Sequence, residues 1–179
     1  MIVRREGPVD HDAVRALHRA AFARDPATGS PRAPDDVVEA RLVDELREDV
    51  GFLPHLSLVA VRDGVVTGHV IATRGWLDPV GAPVLGLGPL GVAPEAQRRG
   101  IGTVLVHALL AVAEAADESL VGLLGAPAYY SRFGFRAAAD LGVAAPDPRW
   151  GAHFQARRLS GRPAGGRFRY AEPFRRLES

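Results

Sequence analysis

The sequence contains no cysteine. That removes thiol nucleophiles, disulfide frameworks and cysteine-ligated zinc together. The amino-terminal stretch MIVRREGPVDHD carries no apolar run that would serve as a signal peptide. Nowhere does the chain approach the ~18 consecutive apolar residues of a membrane span, and its longest apolar helical pattern is interrupted by His107 and Glu114. An excess of charge is missing as well: 22 Lys and Arg stand against 21 Asp and Glu, which gives no push toward nucleic acid. There is no internal repeat and no low-complexity tail. The expectation is a cytoplasmic protein without nucleic acid or membrane as partner.

What is present is apolar material for a core, 47% of 179 residues, and the length of one domain, expected to span 1–179. Residues 2–5 read as a first strand. Asp10 is placed to cap a helix in which Val14, Leu17, Ala21 and Phe22 recur at helical spacing. Residues 24–34 read as a surface loop, and a second helix is expected from Asp35, with Val38, Leu42, Val43 and Leu46 on one face. LSLVAV (56–61) and VVTGHVIAT (65–73) flank Asp63-Gly64 as a hairpin. Residues 74–83 read as a turn and VLGLGPLGV (84–92) as a buried strand. A helix follows from about Arg99 to Ala116, then strand LVGLL (120–124), then a short helix opened by Pro127. FRAAA and HFQARRL supply the last strands. The hairpin argues against a wholly parallel doubly wound sheet.

The stretch GLGPLGVAPEAQRRGIGT (86–103) holds two glycine patterns. Gly86 to Gly91 fit the dinucleotide fingerprint G-x-G-x-x-G, but that motif needs a helix opening at its glycines. Here Val92, Ala93 and Pro94 follow instead, and Pro89 sits inside the supposed turn. Gln97, Arg98, Arg99, Gly100, Ile101, Gly102 and Thr103 are better placed, after a strand and at a helix start. Backbone N–H groups there lack intrahelical partners, and the helix dipole favours an anion. Gly100 and Gly102 would let a diphosphate approach the main chain. The bland alternative is a helix that starts after a polar turn, its glycines serving only packing.

LGPLGVAPEAQRRGIGTVLV resembles the coenzyme A-binding motif of the GNAT N-acetyltransferases, Q/R-x-x-G-x-G/A. GAPAYYSRFGF (125–135) resembles the family's later motif, a tyrosine ahead of Gly-Phe. The combination is most similar to the YhbS-like branch. The resemblance is strong over about residues 84–137 and holds in element order elsewhere. It implies an α/β (α+β) fold, a single GNAT domain with a mixed, mostly antiparallel sheet, a splayed strand pair and helices on both faces. It also implies acetyl-coenzyme A as co-substrate and direct attack by a primary amine of a small molecule or peptide.

The residues supply a cause for splaying, because Gly88-Pro89 lies mid-strand and Pro89 has no N–H to give a neighbour. The free edge of Leu90, Gly91 and Val92 could then pair with pantetheine amides as an added strand would. A backbone N–H of Leu90 or Val92 could steady the oxyanion. On the resemblance, Tyr130 donates a proton to the departing thiolate, while Tyr129 is expected to point elsewhere and pack. No base stands out. Strand 84–92 has no carboxylate, His69 or Asp78 could reach the cleft, and solvent could serve. The acceptor side is expected from residues 24–34, 74–83 and 138–150 with Trp150, with no charge cluster to define the acceptor. His11 and His18 make too few ligands for a metal site, so none is expected. A coenzyme-holding sensor of the same fold is the competing reading, and either monomer or homodimer is compatible with the sequence.

Overall fold

The computed structural model describes residues 1–25, 28–33, 36–161 and 165–176. Pro26, Ala27, Pro34 and Asp35, which belong to the expected loop and helix start, lie outside them. Strand β1 (Ile2–Arg5) is followed by helices α1 (His11–Ala21) and α2 (Val38–Glu48). Strands β2 (Ser57–Arg62), β3 (Val65–Asp78) and β4 (Ala82–Val92) form the antiparallel centre. Helix α3 (Ile101–Ala115), strand β5 (Leu120–Leu124) and the short helix α4 (Pro127–Tyr130) come next. The chain then runs through β6 (Arg136–Ala137), β7 (Val143–Ala144), β8 (Phe154–Arg158), β9 (Gly166–Arg169) and α5 (Glu172–Arg176).

The main path through the sheet is β1-β2-β3-β4-β5-β8-β6, with β9 paired to β3 and β7. Its pairings are antiparallel except β4 with β5 and β7 with β9. Alternation along β3 assigns the two faces. Val70 and Ala72 join Leu105 and Leu109 of α3 in one buried cluster, whereas Ile71 joins Leu42 and Leu46 of α2 in another. Val14 of α1, Val43 of α2 and Val59 of β2 make a third. Helices therefore cover both faces of a mixed sheet, as expected.

Two expectations fail locally. Asp10 stands at the start of α1 but makes no side-chain cap. Its carboxylate instead takes both Arg4 nitrogens at 2.7 and 2.8 Å and the Gly7 N–H at 2.9 Å, a charge-assisted fork stronger than a neutral cap. The 74–83 turn shrinks to the residues between β3 and β4, because β3 continues to Asp78. There Trp76 and Leu77 pair with Pro83 and Ala82 on one side and with Arg169 and Phe168 on the other. Pairing on both edges outweighs the turn-forming residue types.

Candidate active site

Strand β4 carries the bulge that Gly88-Pro89 leads one to expect. Its register against β3 shifts between Val70, opposite Leu90, and Ala72, opposite Leu87. Contact with β5 is confined to Leu85↔Val121 and Gly86↔Gly122. Beyond those pairs the strands part, and Leu90, Gly91 and Val92 present their edge without a β5 partner. Gly86 and Gly91 thus lie inside a strand, and their smallness has packing reasons. A Cβ at Gly86 would sit 2.6 Å from the Tyr170 ring, and one at Gly91 would sit 2.9 Å from His18 and Leu17. The dinucleotide match is accidental.

Below the open strands, α3 begins at Ile101 from an N-cap at Gly100 with φ +81° and no side-chain cap. Its first N–H groups therefore keep their capacity for an external anion. Gln97 is exposed, and its amide donates to the Val92 carbonyl over 3.1 Å and ties loop to strand. Arg98 and Arg99 are exposed. The Ile101 side chain is core, leaving only its backbone for a ligand. Tyr129 packs toward α3 and is not among the cleft's lining residues. Its hydroxyl covers Gly102, where a Cβ would come within 2.7 Å of it. Tyr129 therefore closes over the first turn of α3, with Arg132 stacked 4.9 Å from its ring centroid. Its spacing two residues from Pro127 placed it on α4, but only the packing of α4 on α3 aims it.

Between the parted strands lies a cleft of about 600 Å³, lined by Leu87 to Leu90 of β4, Leu124 and Tyr130. Tyr130 packs edge-on to Tyr129 at 4.9 Å and to Phe135 at 5.8 Å. Burial, reinforced by Tyr129, raises its phenol above the ordinary value. It therefore stays protonated and able to donate.

The cleft widens to walls from the rest of the chain. Phe22 comes from the end of α1, Glu39 and Leu42 from α2, and Asp147, Arg149, Trp150, Tyr170 and Phe174 from the carboxyl-terminal segments. Trp150 is where the sequence places it; no residue of 74–83 is in the lining. Asp147 lies in the expected 138–150 segment, whereas Glu39 is an acidic group that sequence reading missed. Glu39 lies in the first turn of α2, just after the loop assigned to the acceptor side, and that position was the available signal. Arg32 meets both its oxygens at 3.2 Å. Arg149 holds the Asp147 carboxyl below its ordinary value through side-chain and backbone hydrogen bonds.

Neither expected base reaches this cleft. His69 is fully buried and bonded to Ser57 at 3.0 Å and His18 at 2.9 Å. Asp78 pairs with Arg169 at 2.9 Å, at the end of β3 remote from the bulge. His18 is consumed in the buried pair, so His11 and His18 do not form one surface site. Among the described residues no group of three His, Asp or Glu is arranged to hold a metal. None of their helices is long and apolar enough to cross a membrane.

A mixed sheet whose parallel strands part over an uncapped helix start, with a phenol at the opening, marks an acyl-transferring α/β protein. The acetyltransferase (GNAT) family model matches residues 14–135, and the chain belongs to that family. It is 35% identical over 161 residues to the uncharacterized N-acetyltransferase YhbS of Escherichia coli K12, covering 89% of this chain and 88% of that one. The uncharacterized N-acetyltransferase YjhQ of the same strain is 37% identical over 113 residues, 62% of each. The crystal structure of Escherichia coli YhbS in complex with CoA superposes with a TM-score of 0.84 at 31% identity, over 98% of this chain and 92% of that one. A Brucella melitensis GNAT acetyltransferase in complex with acetyl-CoA gives 0.76 at 32% identity, over 97% of each. The protein is an acetyl-coenzyme A-dependent N-acetyltransferase.

Proposed function

We propose that the whole chain works as one acetyltransferase domain that moves the acetyl group of acetyl-coenzyme A directly to a primary amine, through the residues of the parted strands. The observation that carries this reading is the alignment of three features along one path: the free edge 90–92, the uncapped start of α3, and the Tyr130 phenol in the cleft between them. The backbone of Leu90 to Val92 would pair with the pantetheine amides, and an N–H of Leu90 or Val92 would face the thioester oxygen. The N–H groups of Ile101, Gly102 and Thr103 would take the diphosphate, with Arg98 and Arg99 adding charge and Gln97 bracing the loop. The amine nitrogen forms a bond to the thioester carbon as the carbon–sulfur bond breaks. The Tyr130 phenol gives its proton to the leaving thiolate, and the amine's surplus proton passes to water. No covalent enzyme intermediate is needed, in keeping with a chain that has no cysteine. The acceptor is a small molecule or peptide, not a nucleic acid, and the cytoplasm, where acetyl-coenzyme A is available, is the place of action.

Calorimetric titration with acetyl-coenzyme A and, separately, NADH tests the reading on wild type, Gly100→Ala and Gly100→Glu. Both substitutions bear the same backbone strain at φ +81°, so the alanine variant isolates it. Acetyl-coenzyme A should bind wild type and Gly100→Ala, Gly100→Glu should not bind it, and NADH should bind none. A wild type that ignores acetyl-coenzyme A, or a Gly100→Glu variant that binds as well as Gly100→Ala, overturns it.

A further inference from the structure

Resting on that reading, we infer that the acceptor is a small amphipathic monoamine: one ammonium group carried on an aromatic or similarly compact apolar body, with no carboxylate. The cleft carries this in the distribution of its lining. Phe22, Leu42, Trp150, Tyr170 and Phe174 make its lining largely apolar and aromatic. The latter three rings are continuous, with Tyr170 4.7 Å from Phe174 and 6.4 Å from Trp150. Such a surface holds a flat apolar group well and gains little from an extended methylene stem.

Charge in the lining narrows the class further. Glu39 and Asp147 both line the cleft, and each is paired, Glu39 with Arg32 and Asp147 with Arg149. With these charges paired, neither a carboxylate nor a second ammonium group meets a free partner in the lining, which disfavours free amino acids as acceptors. Glu39 also benefits from its place in the first turn of α2, where the helix dipole favours a negative charge. A polyamine would have to set further ammonium groups against Leu87, Leu90 or Leu124, where nothing pairs with them. The cleft volume of about 600 Å³ lies in the range that encloses whole small molecules. Acceptor and the acetylated end of the donor share that space.

The test is an acceptor comparison on the wild type by release of coenzyme A thiol, which a cysteine-free protein reports without background. The amines are 2-phenylethylamine, 1-butylamine, spermidine, phenylalanine and Nα-acetyl-lysine amide. The expected result is a kcat/KM for 2-phenylethylamine at least tenfold above each of the others. Trp150→Ala should raise the KM for 2-phenylethylamine about tenfold and leave that for 1-butylamine nearly unchanged, a split that general loosening of the fold would not produce. A preference for spermidine, phenylalanine or the lysine derivative overturns the inference, as does turnover of none of the five. If acetyl-coenzyme A still binds in the calorimeter, that failure touches the acceptor class alone; if it does not, the acetyltransferase reading falls as well.

Discussion

His18 donates from Nε2 to Nδ1 of His69 across 2.9 Å, and both rings are fully buried. The direction follows from the far end of the chain of bonds. The Glu6 carboxylate can only accept, so Ser57 donates to it at 2.6 Å and must accept from His69 Nε2 at 3.0 Å. His69 Nδ1 is then left to accept. Burial lowers both histidines below their ordinary value, Arg47 adding to the effect and Glu6 opposing it. Folded-state values below the unfolded ones mean that this contribution to stability is full above about pH 6.5 and is lost as the unfolded chain takes up protons below it. For Glu6, burial alone would raise the carboxyl, but nearby His69 and hydrogen bonds from Arg47 and Ser57 together hold it well below its ordinary value. Its contribution therefore fades only at lower pH, below the ordinary value of 4.5. Urea midpoints should fall between pH 8 and pH 5. A flat profile over that window would mean that the histidines titrate alike folded and unfolded.

Tyr129 and Gly102 are coupled by contact. Alanine in place of glycine inside a helix gains about 1 kcal/mol of propensity. At position 102 that gain is opposed, because the new methyl meets the Tyr129 hydroxyl at 2.7 Å. Gly102→Ala should therefore be neutral or destabilising in the wild type, yet stabilising by up to about 1 kcal/mol in a Tyr129→Phe background. A denaturation double-mutant cycle reads the difference. Additive effects would show that the hydroxyl does not lie over Gly102.

These two contacts mark what the sequence could and could not reveal. The helix start at Gln97 to Thr103 and the bulge at Gly88-Pro89 were legible because their causes are local: a glycine pattern ahead of a helical period, and a proline without a donor. The far half of β3 was not, since Gly75 reads as a turn residue and is in fact where Arg169 and Phe168 approach, at 3.1 Å from a hypothetical Cβ. That approach depends on β9, some 90 residues along the chain. Glu39 lies on the polar side of its helix and reads as solvated until the carboxyl-terminal residues join it in the cleft lining. The motif names the position of Tyr130, while the packing of α4 decides that Tyr130 lines the cleft and Tyr129 lies against α3.

Gly91 is held closely between β4 and α1. A Cβ there would stand 2.9 Å from both Leu17 and the His18 ring, and these side chains are themselves packed, His18 stacking on Phe22 at 5.8 Å. Gly91→Ala should cost about 1–3 kcal/mol of stability by overpacking, measured as a fall in urea midpoint at pH 8. A neutral result would mean that α1 lies farther from β4 than described.

Tyr130 separates chemistry from binding. Its phenol lines the cleft, and burial keeps it protonated beyond the ordinary tyrosine range. If it protonates the departing thiolate, Tyr130→Phe should lower kcat by about 10²–10³, the usual scale of a lost general acid. Its affinity for acetyl-coenzyme A should match the wild type. The raised value also fixes the alkaline side of the pH profile, because the acid form persists as the amine loses its own proton. Wild-type kcat/KM should thus climb with pH toward the pKa of the amine and show no descending limb up to about pH 10, the ordinary tyrosine value. Rates measured with a responsive amine from pH 6 to 10, on both proteins, decide the matter. Unchanged turnover in Tyr130→Phe would assign the ring to packing against Phe135 and hand the thiolate's proton to solvent.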